Sequence, residues 1–165
     1  MKVALLLAPG FEELEALTPV DILRRAGVEI DTIAIADRAV TGSHGITVIA
    51  DKSQNEVNPF DYSAVIFPGG MPGSVNLDAS DFSDKMISAV LENGGRLAAI
   101  CAAPLVLGRR GLLKGRRATC FPGFEGELNG AIITDADVVT DGNITTASGM
   151  PAAYAFANEL ANLLK

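Results

Sequence analysis

A short apolar segment that ends in a cysteine constrains this chain more than any other feature. Leu97–Ile100 follows the helix-breaking pair Gly94 and Gly95 and is too short and too apolar for a solvent-exposed element. It is therefore predicted to be a buried strand of a parallel sheet. The residues after Cys101 are rich in Ala and Leu and carry Pro104 in the first turn, where a helix tolerates proline. A strand, a sharp turn bearing a thiol and a helix start together predict a nucleophile elbow.

The predicted elbow gives Cys101 a chemical role. A helix N-terminus presents unpaired N–H groups and partial positive charge, so it is expected to favour the thiolate over the thiol and to leave a pocket for an oxyanion. The alternative is an ordinary buried cysteine, because free cysteine is among the most often buried residue types. The context of a strand, a thiol, small residues and a proline favours the reactive interpretation.

Length and composition limit the remaining possibilities. With 165 residues, 48% hydrophobic content and two cysteines, the chain is predicted to be one globular domain over residues 1–165 without a disulfide framework. A net charge of −7 argues against binding to nucleic acid or anionic lipid. No apolar run is long enough to cross a membrane, and the apolar start is interpreted as a first strand rather than a signal peptide. The predicted compartment is the cytoplasm.

Strand-like and helix-like segments alternate along the chain, which predicts an α/β fold with a mainly parallel sheet and helices on both faces. Asp51–Asp61 is predicted to be a polar loop. The other predicted strands are Lys2–Leu7, Val28–Ile35, Ala39–Thr41 and Ile46–Ile49 (a small antiparallel pair), Ala64–Phe67, Ala118–Cys120, and the hairpin Val138–Thr140 with Asn143–Thr146. The predicted helices are Glu13–Ala26, a segment containing Phe82, Met86, Ala89 and Val90, and Ala152–Leu164.

Three loops are predicted to meet at one edge of the sheet, because sites in parallel sheets lie at the carboxyl ends of the strands. They are Ala8–Glu12, Pro68–Gly73 and the turn at Cys101. If their strands are neighbours, a carboxylate, a glycine loop and a thiol come together there.

Glu15 is the predicted carboxylate. On a helical wheel it falls in the apolar arc that faces the sheet, whereas Glu13 falls on the outer side, and Glu12 is expected at or before the helix cap. The alternative for Glu15 is simple complementation of the helix dipole in the first turn.

The glycine loop contains Gly69 and Gly70 directly after a predicted strand. The N–H groups of Gly70 and Ala102 would form a plausible oxyanion hole, because glycine lets the backbone approach a ligand closely. A plain turn is the alternative. No Walker pattern is present, which argues against nucleotide binding.

Four motifs carry a family resemblance over nearly the whole chain. The chain closely resembles the ThiJ/PfpI superfamily, and within it the DJ-1 branch, in Leu7–Glu15, Arg24–Gly27, Phe67–Gly70 and Ala98–Pro104, and the match extends to Thr145–Gly149. The resemblance implies a flavodoxin-like three-layer α/β sandwich that forms a homodimer.

The same resemblance implies roles for single residues. The family's oxidation-prone cysteine matches Cys101, its proton-sharing glutamate matches Glu15, and its oxyanion amides fall on Gly70 and Ala102. Members of this branch include glyoxalases that need no cofactor or metal, protein deglycases, redox-dependent chaperones and stress sensors.

The chain departs from the family pattern at three positions. A histidine that often precedes a proline would fall at Phe121, and Phe can neither take nor give a proton. The protease-like branch carries histidine where this chain has Ala102, so peptidase activity is not expected. Ser148 stands where an arginine is common.

Two further residues are possible auxiliaries. His44 is the only histidine and is predicted to lie on a surface turn away from the elbow, with an anion contact at the dimer edge as the alternative. Cys120 is predicted to be a core residue, although it would resolve an oxidised Cys101 if the two sulfurs approached each other.

Two functions of different class therefore follow from the sequence. The first is an enzyme whose Cys101 attacks the carbonyl of a small aldehyde, or of its adduct on an amine, with Glu15 carrying the proton. The second is a non-catalytic sensor or chaperone dimer in which Cys101 is oxidised and Glu15 stabilises the product.

Overall fold

The computed structural model of the protein describes residues 2–165, and the chain forms a central sheet between two layers of helices. The strands of the described residues are β1 (Lys2–Leu7), β2 (Glu29–Ala34), β3 (Ala39–Thr41), β4 (Thr47–Ile49), β5 (Lys52–Ser53), β6 (Ala64–Phe67), β7 (Arg96–Ile100), β8 (Arg117–Ala118), β9 (Ile132–Ile133), β10 (Val138–Asp141) and β11 (Ile144–Ala147). The α-helices are α1 (Glu13–Arg25), α2 (Gly73–Asp78), α3 (Asp81–Glu92), α4 (Pro104–Arg109) and α5 (Ala153–Leu163). None of these helices is long and apolar enough to span a membrane.

Seven strands form the central sheet in the order β10-β11-β7-β6-β1-β2-β5. All neighbours are parallel except β10 and β11, which form the predicted hairpin around Gly142. The predicted α/β fold with a mainly parallel sheet is therefore confirmed.

The central strands are buried on both faces, as their continuous apolar sequences predict. In β7, Leu97 and Ala99 pack into one hydrophobic core, and Ala98 and Ile100 pack into the other. Helices α3 and α4 cover the first core, and helices α1 and α5 cover the second. This alternation produces the three layers of the sandwich.

Two predictions about peripheral elements were wrong. Asp51–Asp61 is not simply a loop, because β5 lies within it and pairs with the edge of β2. Asp51, directly before β5, holds that strand against β2 because its carboxylate accepts hydrogen bonds of 2.8 Å from both the N–H and the hydroxyl of Thr32. The strand predicted over Ala118–Cys120 is only β8, which pairs with β9 in a separate sheet. Strands of two residues carry no periodic pattern from which they could be predicted.

The strand order positions the candidate site. β6 lies between β1 and β7 and is parallel to both, so the loops that follow these three strands meet at one edge of the sheet. This is the predicted arrangement of the three loops, and the site described next occupies that edge.

Candidate active site

Cys101 lies in a sharp turn between β7 and α4. Within residues 2–165 it is the one non-glycine residue with a positive φ, at 66°. Its N–H donates to the carbonyl of Ala147 at 2.9 Å, and its own carbonyl accepts from the N–H of Phe121 at 2.8 Å. Left-handed backbone is unfavourable for a residue with a side chain, so these hydrogen bonds hold the turn in a strained conformation. The predicted nucleophile-elbow geometry is present.

Glu15 lies beside the Cys101 thiol, in the first turn of α1. Its side chain is buried, with 1% of the residue exposed, and its carboxyl group hydrogen-bonds to the thiol. The Glu15 Oε2 atom also accepts a hydrogen bond of 2.9 Å from the N–H of Gly69. Glu12 caps the helix as predicted, because its carboxylate accepts the N–H of Glu15 at 2.7 Å. The inward orientation of Glu15 that the helical wheel predicts is confirmed.

Two backbone amides point toward the Cys101 sulfur. They are the N–H groups of Gly70 and Ala102, the pair predicted for an oxyanion hole. Gly70 has a φ of 91°, and its Cα packs so closely against the backbone of Gly10 and Glu12 that a β-carbon has no room there. The positions of these two donors are therefore set by the packing of the glycine loop against the start of α1.

The protonation states of the pair differ from the sequence-based expectation. Burial raises the pKa of Glu15 to about 7. Burial and the negative charge of Glu15 raise the pKa of the Cys101 thiol, although the two amides act in the opposite direction. The expectation that the helix start favours the thiolate was wrong in its net sign, because burial and Glu15 outweigh the amides. The two groups titrate as one pair that releases its first proton near neutrality.

Glu13 is buried rather than placed on the outer side of α1 as predicted. Its Oε1 accepts the N–H of His44 at 2.7 Å and that of Ile46 at 3.3 Å, while its Oε2 lies 2.9 Å from the Nδ1 of His44. The helical wheel describes only the face toward the sheet, whereas the turn between β3 and β4 folds over the opposite side. Burial acts to raise the pKa of Glu13, but the hydrogen bonds from His44 and the backbone outweigh it and lower the pKa.

A cavity of about 740 Å³ opens above the cysteine. His44 lies on an exposed turn as predicted, but the turn borders this cavity, so the prediction that it lies away from the elbow was wrong. The cavity is lined by Glu12, Glu13, Leu14, Glu15, His44, Ile46, Cys101, Phe121, Met150 and Pro151.

Comparison with known proteins places this chain in one family. A model of the DJ-1/PfpI family matches residues 1–163. The chain belongs to the DJ-1/PfpI family. Protein dj-1beta of Drosophila melanogaster is 35% identical over 162 residues, which cover 96% of this chain and 87% of that relative. A deglycase of Pyrococcus abyssi is 36% identical over 170 residues, covering 100% of both chains.

Solved structures agree with this family assignment. The crystal structure of a mutant DJ-1 superfamily protein from Salmonella typhimurium superposes with a TM-score of 0.92 at 39% sequence identity. The match covers 99% of this chain and 89% of that one. The flavodoxin-like sandwich expected from the resemblance is thus the fold of this DJ-1/PfpI protein.

The second cysteine of this DJ-1/PfpI protein does not share the Cys101 cavity. Cys120 is buried in the core under α3 and α4 and lines a separate cavity of about 370 Å³, whereas Cys101 packs against the opposite core. Phe121 lines both cavities and lies between them. Burial raises the pKa of Cys120 to about 11. The predicted core position of Cys120 is confirmed.

One cluster in the described part of this DJ-1/PfpI protein brings three possible metal ligands together. Single ligand atoms of Glu12, Glu13 and His44 lie within 4.8 Å of one another. Hydrogen bonds already account for these groups, because Glu13 accepts from His44 and from the hairpin backbone and Glu12 caps α1. We therefore do not assign a metal to them.

Sequence reasoning missed the role of Gly69. Its N–H donates to Glu15, and a β-carbon on Gly69 would collide with the Glu15 carboxylate and with the Cβ of Cys101. The sequence signal for this role is the pair of consecutive glycines after β6, in which the oxyanion pattern predicts a function for Gly70 alone. Glu13 and His44 carried no pattern linking them, since 31 residues separate the two.

Proposed function

We propose that this protein is a cysteine-dependent enzyme that acts on small reactive carbonyls, with glyoxalase or deglycase chemistry. The observation that carries this proposal is the pair of a buried Glu15 and a partly exposed Cys101, with the amides of Gly70 and Ala102 directed at the sulfur, at an accessible cavity. A nucleophile, a proton carrier and oxyanion donors are the groups that addition to a carbonyl needs. No bound cofactor enters the proposed chemistry.

The first step is addition of the Cys101 sulfur to the aldehyde carbon of the substrate. As the C–S bond forms, Glu15 takes the thiol proton, and the electron pair of the C=O π bond moves to oxygen. The amides of Gly70 and Ala102 stabilise this oxyanion, and Glu15 returns the proton to it. The product is a neutral hemithioacetal, and Glu15 is again a carboxylate. The pKa of Glu15, about 7, is suited to moving a proton in both directions near neutral pH.

For methylglyoxal the reaction continues as an internal redox isomerisation. The hydrogen on the former aldehyde carbon moves as a proton to the neighbouring carbon, through an enediol, and the hemithioacetal becomes the thioester of lactate. Water then attacks the thioester carbonyl, the C–S bond breaks, and lactate leaves with regeneration of the Cys101 thiol. The sum is methylglyoxal plus water giving lactic acid, so no external oxidant or reductant is consumed.

The proposed substrates are a small aldehyde or its adduct on an amine. The name of the Pyrococcus abyssi relative, a deglycase, supports this class. The cavity supports it as well, because the apolar side chains of Leu14, Ile46, Phe121 and Met150 line much of a space large enough for a small carbonyl and part of an amine.

A turnover assay tests the proposal. Wild-type protein is expected to convert methylglyoxal to lactate, Cys101→Ser to be inactive, and Glu15→Gln to lose at least about 100-fold in kcat. Cys120→Ser, whose thiol lies in the other cavity, is the matched control and is expected to keep wild-type activity. Equal turnover by wild type and Cys101→Ser would disprove the proposal.

A second candidate function is an oxidation sensor without turnover. The observation that supports it is that Phe121 lines the cavity at the position of the family's histidine, because a phenyl ring cannot transfer protons. Peroxide would convert the Cys101 thiolate to a sulfinate, and protonated Glu15 would donate a hydrogen bond to it. The same assay tests this function. Absence of turnover in wild type, combined with accumulation of the Cys101 sulfinate at a peroxide dose that leaves less sulfinate in Glu15→Ala, favours the sensor.

We also propose a homodimer. Leu14, Ile46 and Met150 are exposed by 53, 54 and 46% and all line the Cys101 cavity. Such an apolar rim fits a second copy of the chain. Light scattering is expected to give twice the chain mass, and Ile46→Glu is expected to shift it toward the monomer. A monomeric wild type at micromolar concentration would disprove the dimer.

A further inference from the structure

We propose that His44 is a second acid–base residue of the Cys101 site and acts on the second oxygen of vicinal dicarbonyl substrates. The inference rests on the proposed carbonyl chemistry and narrows its substrate class. It adds a residue from the turn between β3 and β4 to a site otherwise built by the loops after β1, β6 and β7.

The first support is position. His44 lines the same cavity as Cys101 and Glu15, and it is the only basic residue among the lining residues. The other ionisable groups that line the cavity are the carboxylates of Glu12, Glu13 and Glu15 and the thiol. A single imidazole facing such groups at the entrance of a cavity can exchange protons with a bound ligand.

The second support is the carboxylate that orients the ring. Nδ1 of His44 lies 2.9 Å from Oε2 of the buried Glu13, while the backbone N–H groups of His44 and Ile46 hold Oε1 of Glu13. Glu12 lies 3.7 Å from Nδ1, and the Ser43 hydroxyl is 3.2 Å away. Since these groups surround Nδ1, Nε2 is the nitrogen left for proton exchange. A buried carboxylate that fixes the tautomer of a histidine is the arrangement of serine hydrolases.

The pair also sets the charge of the ring. The hydrogen bond and the negative charge of Glu13 raise the pKa of His44. His44 therefore carries a proton over more of the neutral range than a free histidine would. A cation at this point can donate a proton to oxygen and then accept one back.

The third support is a chemical need. Converting the hemithioacetal to the lactate thioester requires proton transfer at carbon and at oxygen, and one carboxylate cannot serve both at once. Phe121 occupies the position where the family often carries a histidine, and Ala102 the position where its protease-like branch does, and neither can transfer a proton. Among the residues that line the cavity, His44 supplies the missing group.

Glu15 and His44 each give and take one proton during the isomerisation. Glu15 removes the proton from the carbon bonded to sulfur, and the electron pair forms a C=C bond while the ketone oxygen takes a proton from the His44 imidazolium. Glu15 then delivers its proton to the carbon of the former ketone. The remaining hydroxyl loses its proton to neutral His44 as the thioester carbonyl forms. Both residues end in their starting states.

The test separates proton transfer from charge and from structure. His44→Gln removes both charge and acidity, whereas His44→Arg keeps the charge but cannot transfer a proton near neutral pH. Both variants are expected to lose about 100-fold or more in kcat/KM for methylglyoxal. Alkylation of Cys101 by iodoacetamide, which needs no second acid, is expected to stay within about twofold of wild type.

A pH profile gives the second readout. If His44 acts as an acid, activity declines as pH rises through its pKa, and Glu13→Gln is expected to move that basic limb to lower pH by removing the charge that holds the proton. Asp21→Asn, on an exposed part of the same helix, is expected to leave the limb in place.

Results that would overturn the role of His44 differ from results that would overturn the proposed function. Turnover at the wild-type rate in His44→Gln overturns the acid–base role. Turnover at that rate in His44→Arg overturns it as well, because the charge alone would then suffice. An equal loss of Cys101 alkylation and of turnover in both variants also overturns it, because the defect would then be structural. Failure of wild-type protein to turn over methylglyoxal, glyoxal or their amine adducts overturns the proposed function and this inference together. Lactate formation that depends on Cys101 but not on His44 overturns the inference alone.

Discussion

Glu15 and Cys101 share a hydrogen bond in a site where burial raises the pKa of both groups. The carboxylate and the thiolate disfavour each other's charge, so the ionisation of one depends on the proton of the other. Reactivity of this cysteine is therefore controlled by a side chain on another element, and changes in Glu15 are expected to alter it without touching the sulfur.

Replacing Glu15 by Gln is expected to lower the pKa of Cys101, because a negative charge beside the thiol is removed while the amides of Gly70 and Ala102 stay in place. The midpoint of Cys101 alkylation should move down by about 1 pH unit or more. Iodoacetamide labelling followed by mass spectrometry from pH 6 to 10, below the wild-type midpoint, detects the shift as faster Cys101 alkylation in Glu15→Gln at each pH. Asp21→Asn on the exposed part of α1 is the control. Superimposable curves for Glu15→Gln and wild type would contradict the coupling.

Much of this site was predictable because its signals are local. The elbow at Cys101 follows from a strand, a thiol and Pro104 that are contiguous in sequence, and the inward direction of Glu15 follows from the periodicity of one helix. The proximity of the loops followed from the rule for parallel strands.

The parts that were not predictable depend on segments distant in sequence. Glu13 is buried by a turn 31 residues away, which the helical wheel of α1 cannot include. The net pKa shift of Cys101 is a balance of burial, charge and amides that exists only once the loops are assembled. Strand β5 has two residues and is defined by its partner β2, not by its own sequence.

The stability of the protein is expected to depend on pH through Glu15. Its folded-state pKa, about 7, is above the usual value of 4.5, so this contribution is fully present below pH 4.5 and is lost as pH rises through 7. Relative to Glu15→Gln, wild type should lose about 3 kcal/mol across that window. Urea denaturation at pH 4.5, 6 and 8 measures the difference. A constant difference between the two proteins would show that Glu15 is not desolvated.

Gly69→Ala is expected to disrupt the site from the backbone side. The added methyl group would collide with the Glu15 carboxylate and the Cβ of Cys101, and overpacking of this kind costs about 1–3 kcal/mol. The variant should therefore unfold at lower denaturant concentration and lose turnover. Gly126→Ala is the matched control, since nothing lies within 4 Å of a β-carbon there. Wild-type stability in Gly69→Ala would refute the close packing of the loop.

Peroxide is expected to oxidise Cys101 well before Cys120. Cys101 is partly exposed at an open cavity, whereas Cys120 is buried, so peroxide reaches the Cys101 sulfur more readily. Mass spectrometry after graded peroxide should locate the added oxygen atoms on Cys101. In Cys101→Ser, Cys120 should stay reduced at the same dose. Equal oxidation of both thiols would argue against the elbow as the reactive position.

Peptidase activity is expected to be absent. Cleaving a peptide needs an acid beside the nucleophile that protonates an amine leaving group. The two positions where the family pattern places a histidine hold Ala102 and Phe121, and His44 lies on an exposed turn of the cavity, where we place it against the second oxygen of a small dicarbonyl. Casein and fluorogenic peptides should be stable in the presence of protein that turns over methylglyoxal. Peptide hydrolysis that disappears in Cys101→Ala would show that another group protonates the amine.

At Cys101 the left-handed backbone lowers the stability of the fold, while the side chain at the same position supplies the reactive thiol. Glycine adopts such a conformation freely, whereas a residue with a β-carbon is disfavoured there by about 1–2 kcal/mol. Cys101→Gly would thus relax the turn while abolishing the nucleophile. A side chain at this position therefore lowers the stability of the fold, and the gain in unfolding free energy of Cys101→Gly over wild type measures what the thiol costs the turn that holds it.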